Sequence, residues 1–409
     1  MQKVMNIDEF DIASATMHRS VVKVLIHRRL DDSLSGSAVY LLACLNCLEE
    51  AGFQVELVIA PVAGFGSKPF SIPSHAFKLT GRSIRWPGTI RVGRVYVSIN
   101  PAVWVRAWKR VLNQIAWILK GRKEFEVPAI PSSLGKPPSP ADQKAMIAEV
   151  NSSDCDVALA EYSSLAGLLG KCRAEKRAVL LHDLFSERGS SFVRAGLTPD
   201  HETITLEDEC QRLEHVDLCI HASVKEAQLL CGKLPNRRHV WLPPKAAVQS
   251  LPEQGPLRLV FIGVRHGGNQ DALKMILENI WPEIYKQRPE TELWIVGEIS
   301  DVVHRHHPGV KVLGRVEDLC TVGGPSAIGL APERAVSGIS IKVTTYLNLG
   351  MSVLTTPDVL EAYGHALDDL VETAEDTKQF VDRAIALLDD RDARLKRAEQ
   401  VRGMLHYRL

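Results

Sequence analysis

Short, nearly continuous apolar runs recur along this 409-residue chain, each followed by a longer segment with helical spacing. This alternation limits the fold more than any other feature. The first two runs are Val21-Val22-Lys23-Val24-Leu25-Ile26 and Gln54-Val55-Glu56-Leu57-Val58-Ile59. Strands this apolar belong inside a parallel sheet, where both faces are covered. Between them, His27 to Ser35 reads as a loop, Gly36-Ser37 as a turn and Ala38 to Ala51 as a helix stopped by Gly52, which completes a βαβ unit. The turn has one glycine and not the G-x-G-x-x-G spacing, so a dinucleotide fingerprint is absent.

The pattern continues in the same sense. Short strands are expected at Thr89 to Val92 and Arg94 to Ile99, a Pro- and Ser-rich surface loop over Phe125 to Ser139, and a helix from Ala141 to Val150. Asp154-Cys155-Asp156 precedes the strand of Val157 to Ala160, whereas a nucleotide-facing metal pair needs its acids after a strand, so that motif is rejected. The strand Ala178-Val179-Leu180-Leu181 empties into His182, Asp183 and Arg188, at the carboxyl end where open α/β sheets bind ligands. Leu218-Cys219-Ile220 leads on to Ser223 and Glu226. Leu242 to Pro256 holds four prolines and reads as a linker. A second α/β set follows, with strands at Leu257 to Ile262, Leu293 to Val296, Val310 to Leu313, Ala327 to Ala331 and Ser352 to Leu354, and a helix from Asp271 toward Gln287 kinked at Pro282. The expected fold class is α/β, two Rossmann-like domains facing across a cleft. Residues 20–245 and 253–395 form the two domains, and a C-terminal helix over 396–409 is expected to return to the first. A length of 409 residues suits two cores better than one.

Charge is balanced overall, 49 basic against 49 acidic residues, which gives no ground for a nucleic-acid partner. The distribution is uneven: Leu57 to Lys123 holds 12 Lys and Arg and no acid, while Leu251 to the end holds 18 basic and 23 acidic residues. Within the cationic stretch, Pro101 opens a helix with Trp104, Trp108, Val111, Leu112, Ile115 and Ile118 on one face. Arg106, Lys109, Arg110 and Lys120 stand off that face. Such a helix either packs on its own domain with a solvated basic side or lies on an anionic membrane surface. The eight scattered cysteines include one C-x-x-C, Cys44 and Cys47, inside an apolar helix and with no second pair to complete a metal site. Free thiols fit a reducing compartment. Residues 1–20 are polar, lack an apolar leader and are expected to be poorly ordered, and no run is long enough to span a membrane. A cytoplasmic protein is expected, at most peripheral at the inner face of a membrane.

The stretch from Ala331 to Gly350 carries the chemistry. A buried strand, a turn with Arg334, Ser337 and Gly338, and a helix start at Ser340 to Lys342 bring free backbone N–H groups and two cations together, where a di-anion is favoured. The loop Gly263 to Asn269, with Arg265, Gly267 and Gly268, follows the equivalent earlier strand.

Residues Leu257 to Asp390 resemble the C-terminal domain of family 4 (group 1) glycosyltransferases with the GT-B fold. The resemblance rests on Phe261-Ile262-Gly263 with Gly268-Asn269, Ile280-Trp281-Pro282, Ile295-Val296-Gly297, Leu313-Gly314-Arg315-Val316, and Ala331-Pro332-x-Arg334-x-x-x-Gly338-x-x-x-Lys342 with Gly350. In front, Gly36-Ser37 and the His182-Asp183 and Arg188 block match more loosely. The resemblance implies a nucleotide-diphosphate sugar as donor, with no metal and no cofactor required. Arg334 and Lys342 would neutralise the diphosphate, while Gly263, Arg265, Gly268, Asn269, Gly338, Ser340, Thr345 and Tyr346 would bind the donor. His182 would act in catalysis by orienting the sugar, and Gly36, Ser37, Asp183 and Arg188 would serve the acceptor. Retention of configuration and a polysaccharide or lipid-linked acceptor are implied by family. Thr345 stands where the family carries a ribose-binding Glu, so Thr345 or Tyr346 would take that role. A nucleotide-sugar epimerase on the same fold and a non-catalytic sugar-nucleotide-binding protein are the competing readings.

Overall fold

The structure, a computed structural model, describes residues 5–6, 20–31, 35–66, 68–78, 82–119, 134–244 and 255–408. Lys120, most of the expected 125–139 loop and the middle of the linker lie outside them. The chain divides into two compact units. The first comprises Met1–Ser186, His201–His221 and Ala227–Leu242, and the second Glu187–Asp200, Ala222–Glu226 and Pro243–Leu409. Two short stretches of the front half thus belong to the second unit, which periodicity along the chain does not reveal.

The first unit holds β1 (Met5–Asn6), β2 (Val21–Ile26), β3 (Gln54–Ile59), β4 (Phe70–Ser71), β5 (Ser83–Arg85), β6 (Thr89–Val92), β7 (Val95–Ser98), β8 (Val157–Glu161), β9 (Lys176–Leu181), β10 (Leu218–His221) and β11 (Arg238–Trp241). Eight of these strands form one sheet in the order β1-β11-β10-β9-β8-β2-β3-β5, parallel throughout. Met5–Asn6, in a stretch expected to lack order, forms its edge against β11. The apolar runs are buried as their composition requires, with Leu25, Val58, Ala160, Val179, Leu181 and Cys219 in one core. The helices are α1 (Gly36–Glu50), α2 (Pro101–Leu119), α3 (Pro140–Val150), α4 (Ser163–Ala166), α5 (Phe185–Arg194), α6 (Leu206–Arg212) and α7 (Val224–Lys233). The last residues of α5 and the first of α7 fall in the second unit. Cys44 is buried in α1, where burial pushes its thiol up to about 12, as suits a structural thiol.

A small antiparallel sheet, β4-β7-β6, sits beside α2 in sequence. The amphipathic helix is attached through Val103, which is fully buried, and through the Trp104 indole, which donates to the Ser98 carbonyl at 2.7 Å. Its apolar face is otherwise open: Trp108 is 63 % exposed, and Val105, Val111, Leu112 and Ile115 are exposed with it. Phe70, Ile90 and Val92 of the small sheet are exposed too. Of the two readings of this helix, packing on its own domain holds at Val103, Trp104 and Arg106, whose guanidinium donates to the Val62 carbonyl at 2.8 Å, and the other described apolar residues of the face stay uncovered. An open apolar surface of this kind is uncommon unless something covers it.

The second unit holds β12 (Arg258–Ile262), β13 (Glu292–Val296), β14 (Val310–Gly314), β15 (Ala327–Ala331), β16 (Ser352–Thr355) and β17 (Val371–Thr373), in one parallel sheet of order β14-β13-β12-β15-β16-β17. Successive residues of β12 feed opposite faces. Leu259 and Phe261 join a core with Ile276, Trp281 and Phe380, and Val260 joins another with Val343, Tyr346 and Tyr363. Over these faces lie α8 (Gly267–Met275), α9 (Trp281–Gln287), α10 (Ile341–Asn348), α11 (Pro357–Glu361), α12 (Thr377–Asp389) and α13 (Arg391–Arg408). The helix kinked at Pro282 is α8 and α9 joined by a π-helical turn, Ile276–Ile280, which removes the i−4 hydrogen bond that Pro282 cannot make. The C-terminal helix begins already at Arg391 and belongs to the second unit, where Val401 is buried in the core.

Candidate functional site

Two strand-to-helix turns of the second unit meet through one hydrogen-bonded cluster. Lys342, in the first turn of α10, donates from Nζ to Asn269 Oδ1 at 2.6 Å and forms an ion pair with Glu333. Asn269, in the first turn of α8, donates from Nδ2 to the Val264 carbonyl at 2.8 Å. The turn after β12 and the turn after β15 are therefore tied by Lys342, with the Phe261 ring 5.7 Å from its ammonium. Burial pushes the Glu333 carboxyl up, but the Lys342 charge outweighs it and the group sits below its ordinary range. Glu333 is thus a standing carboxylate, and Lys342 is held in one place by it.

Gly338 stands at φ +60°, in the left-handed region that a side chain disfavours, and its N–H donates to Glu226 Oε1 at 2.7 Å. A carboxyl oxygen of the protein itself thus already occupies one amide of this turn. Arg334 is half exposed and paired with Asp271, Nε to Oδ2 at 2.9 Å. Arg265 is exposed and has no ion pair among the described residues. Ser340 caps the entry to α10 and sits beside Glu333, while its carbonyl accepts from Tyr363 at 2.7 Å. Thr345 lies one turn beyond Lys342, partly buried. Gly263 and Gly268 are buried at the end of β12 and the start of α8. Arg188, expected with the acceptor-side residues, is placed in this unit instead: it pairs with Asp200 at 3.2 Å, and Asp200 accepts from the Gly267 N–H at 3.3 Å.

Tyr346 requires a correction. Its side chain is fully buried; the hydroxyl donates to the Leu330 carbonyl at 3.1 Å and accepts from the Ile262 N–H at 2.9 Å. Both capacities are used by the backbone, and the ring is a wedge between β12, β15 and α10. Of the two residues suggested for the ribose, only Thr345 keeps a partly open side chain.

His266 was not singled out by sequence. It caps α8, its Nδ1 accepting from the Asn269 N–H at 3.3 Å, which requires an unprotonated Nδ1. Burial first, then the charges of Lys342 and Arg188, lower its pKa to about 4. A lowered histidine pKa means that the unfolded chain takes up the proton first. The stability that His266 contributes should be constant above pH 6.5 and fall by about 1.4 kcal/mol per pH unit from there toward pH 4, on top of the same-sign contributions of His27, His221 and His239. Thermal melting of wild type and His266→Asn between pH 8 and 4 checks this. Asparagine also caps a helix but does not titrate, so the variant should show the shallower acid slope.

In the first unit the site residues gather around His182. The ring is buried, stacked on Tyr162 at 4.3 Å and edge-on to Tyr40 at 5.2 Å, and its Nε2 lies 3.3 Å from Glu161 Oε1. Arg28 donates to Ser37 Oγ at 2.9 Å and stands 3.5 Å from the same carboxylate. Ser37 is thereby linked to His182, with Gly36 at the start of α1 beside it and Asp183 buried next in sequence. Burial raises the Glu161 carboxyl, but His182 and Arg28 outweigh it and the net shift is downward. Tyr162 adopts φ +70°, a strained conformation for a residue with a side chain, and this conformation accompanies its stacking on the histidine. Glu161 is the last residue of β8, and the rule that ligand groups follow a strand's carboxyl end could have pointed to it.

Residues 256–390 match the family described as Glycosyl transferases group 1. No curated protein matches the chain. Sucrose-phosphate synthase from Thermosynechococcus elongatus is similar in structure, with TM-score 0.59 and 11 % identity over 95 % of each chain. The UDP-forming trehalose-phosphate synthase from Burkholderia xenovorans in complex with glucose-6-phosphate gives TM-score 0.55 and 10 % identity, covering 94 % of this chain and 96 % of that one. WaaG, a glycosyltransferase involved in lipopolysaccharide biosynthesis, gives 0.51 and 12 %, covering 94 % and 95 %. At these identities the likeness establishes the fold: two Rossmann-like domains, as in GT-B glycosyltransferases. The family match adds that residues 256–390 of the second unit resemble a glycosyltransferase domain.

Proposed function

We propose that the enzyme transfers a sugar from a nucleotide-diphosphate donor to a glycan or lipid-linked acceptor, without a metal ion and with retention of configuration. The observation that carries this reading is the fixed ammonium of Lys342, held by Glu333 and Asn269 at the start of α10 beside the left-handed Gly338 turn. Transfer breaks the bond between anomeric carbon and phosphate oxygen, and negative charge grows on the departing diphosphate. A preorganised cation at that oxygen lowers the barrier without needing to reorganise. Arg334 assists differently: its guanidinium is half exposed beside Asp271 and can present a bidentate face to phosphate. Arg265 is a further cation for the same anion. His182, poised against Glu161, orients the acceptor and the transferring sugar.

The donor class is supported by one similar structure, a UDP-forming trehalose-phosphate synthase in complex with glucose-6-phosphate. Incubating the purified enzyme with UDP-, GDP- and ADP-sugars and membrane or oligosaccharide acceptors tests the proposal. Release of nucleoside diphosphate with label in a glycoside is the expected result; no acceptor-dependent release with any donor would refute it.

The open face of α2 belongs to the same proposal. Exposed Trp104, Trp108, Leu112 and Ile115, in an acid-free stretch with Arg106, Lys109 and Arg110, suit the interface of an anionic bilayer, and on this reading the enzyme works at the cytoplasmic side of a membrane. No described helix is long and apolar enough to cross one. In co-sedimentation with anionic vesicles, Trp104→Ala/Trp108→Ala should bind roughly tenfold or more weakly than wild type. Equal binding would exclude this surface.

A further inference from the structure

Away from the residues given to transfer, the first unit holds a buried group of three metal-ligating side chains: Cys219 and His221 on β10 and His239 on β11. Cys219 and His221 are two residues apart and so point to the same side of the sheet. The parallel register sets Cys219 against His239, which brings the third side chain to that side. All three are buried, and one ligand atom from each lies within 4.8 Å of the other two.

The hydrogen bonding fixes the tautomers. His239 Nε2 lies 3.0 Å from the Leu234 carbonyl, which can only accept, so Nε2 carries the hydrogen and Nδ1 a lone pair. His221 Nε2 lies 3.0 Å from that Nδ1 and must be the donor to it. His221 Nδ1 is then an acceptor with no hydrogen-bond partner, in a residue only 1 % exposed. A buried polar atom left unsatisfied in this way costs stability. A backbone carbonyl holding the far nitrogen of an imidazole is also the usual way a metal-binding histidine is oriented.

We propose that Cys219, His221 and His239 form a zinc site, three protein ligands with a fourth position they do not supply. One thiolate and two neutral imidazoles suit a borderline-soft cation and not magnesium or calcium. His239 already presents a lone pair. On binding, the Cys219 thiol loses its proton to solvent, and the hydrogen on His221 Nε2 moves to the orphaned Nδ1, so one proton is released per ion. The site lies away from Lys342 in sequence and sheet, and its role is to cross-link β10 and β11 near the edge of the first sheet.

Cobalt(II) is the probe. Titration of the chelator-treated wild-type chain should give one equivalent bound, with thiolate-to-cobalt charge-transfer absorption. That absorption should vanish in Cys219→Ser, weaken in His239→Ala, and persist in Cys44→Ala/Cys47→Ala. The wild-type chain itself gives a readout that does not depend on a variant folding: zinc returned to the chelated protein should raise its melting temperature, with zinc retained at one per chain after gel filtration. Absence of both retention and thermal shift would overturn the site, as would an unchanged cobalt spectrum in Cys219→Ser.

Discussion

Lys342→Met should lower sugar transfer by about two to three orders of magnitude, the effect of removing one preorganised electrostatic contact to a departing oxyanion. The same substitution also strips the counter-charge from Glu333, whose side chain, like that of Lys342, is largely buried. Leaving a buried carboxylate without its partner costs about 3–5 kcal/mol. That is on the order of 10 °C in melting temperature for a unit of this size. The two losses are separable. Lys342→Met/Glu333→Gln removes both charges and keeps shape, so melting should return close to wild type while transfer stays low. If the double variant regained activity together with stability, Lys342 would be a structural ion-pair partner and nothing more.

Gly329→Ala should be strongly destabilising. Gly329 lies in the middle of β15, and a Cβ built there would stand 2.7 Å from Tyr346 Cδ1 and closer still to Cγ and Cδ2. Small clashes are often relieved by a side chain swinging away, but Tyr346 is pinned at its hydroxyl by Ile262 and Leu330, as well as by its place in the core. Overpacking at a site that cannot yield costs about 3 kcal/mol or more. Because β15 leads into the Gly338 turn, donor affinity should fall with it. Gly232→Ala in α7 is the control: nothing lies within 4 Å of its added Cβ, and alanine favours a helix by about 0.5–1 kcal/mol. Thermal melts of the two variants should therefore move in opposite directions.

The parts of the fold that could be read along the chain are those decided by neighbours in sequence. Each parallel strand of the second unit shows itself as a short apolar run because both of its faces are covered, and the helix break shows itself at Pro282. In the candidate site, the resemblance grouped Lys342 with Asn269, and the two are hydrogen-bonded to one another. What could not be read depended on partners far apart in the chain. Glu333 looks like a surface acid until Lys342 is folded onto it. Tyr346 looks like a ligand group until Gly329 is seen to open a slot for its ring. His266 is an ordinary loop histidine except for the Asn269 amide that it caps, and the stretch holding Arg188 and Asp200 joins the second unit, where Asp200 accepts from the Gly267 N–H. In the first unit, Arg28 and Glu161 are 133 residues apart and meet only because β2 and β8 are adjacent strands.

The claim that the second unit grips a nucleotide diphosphate through Lys342 is tested most directly by calorimetric titration. Wild type, Lys342→Met/Glu333→Gln and Gly232→Ala would each be titrated with UDP, GDP and ADP and with their sugars. Saturable binding of one nucleotide series by wild type and Gly232→Ala, weakened at least about tenfold in the folded double variant, is the predicted outcome. Binding of the same strength in the double variant, or none by the wild type, would contradict it.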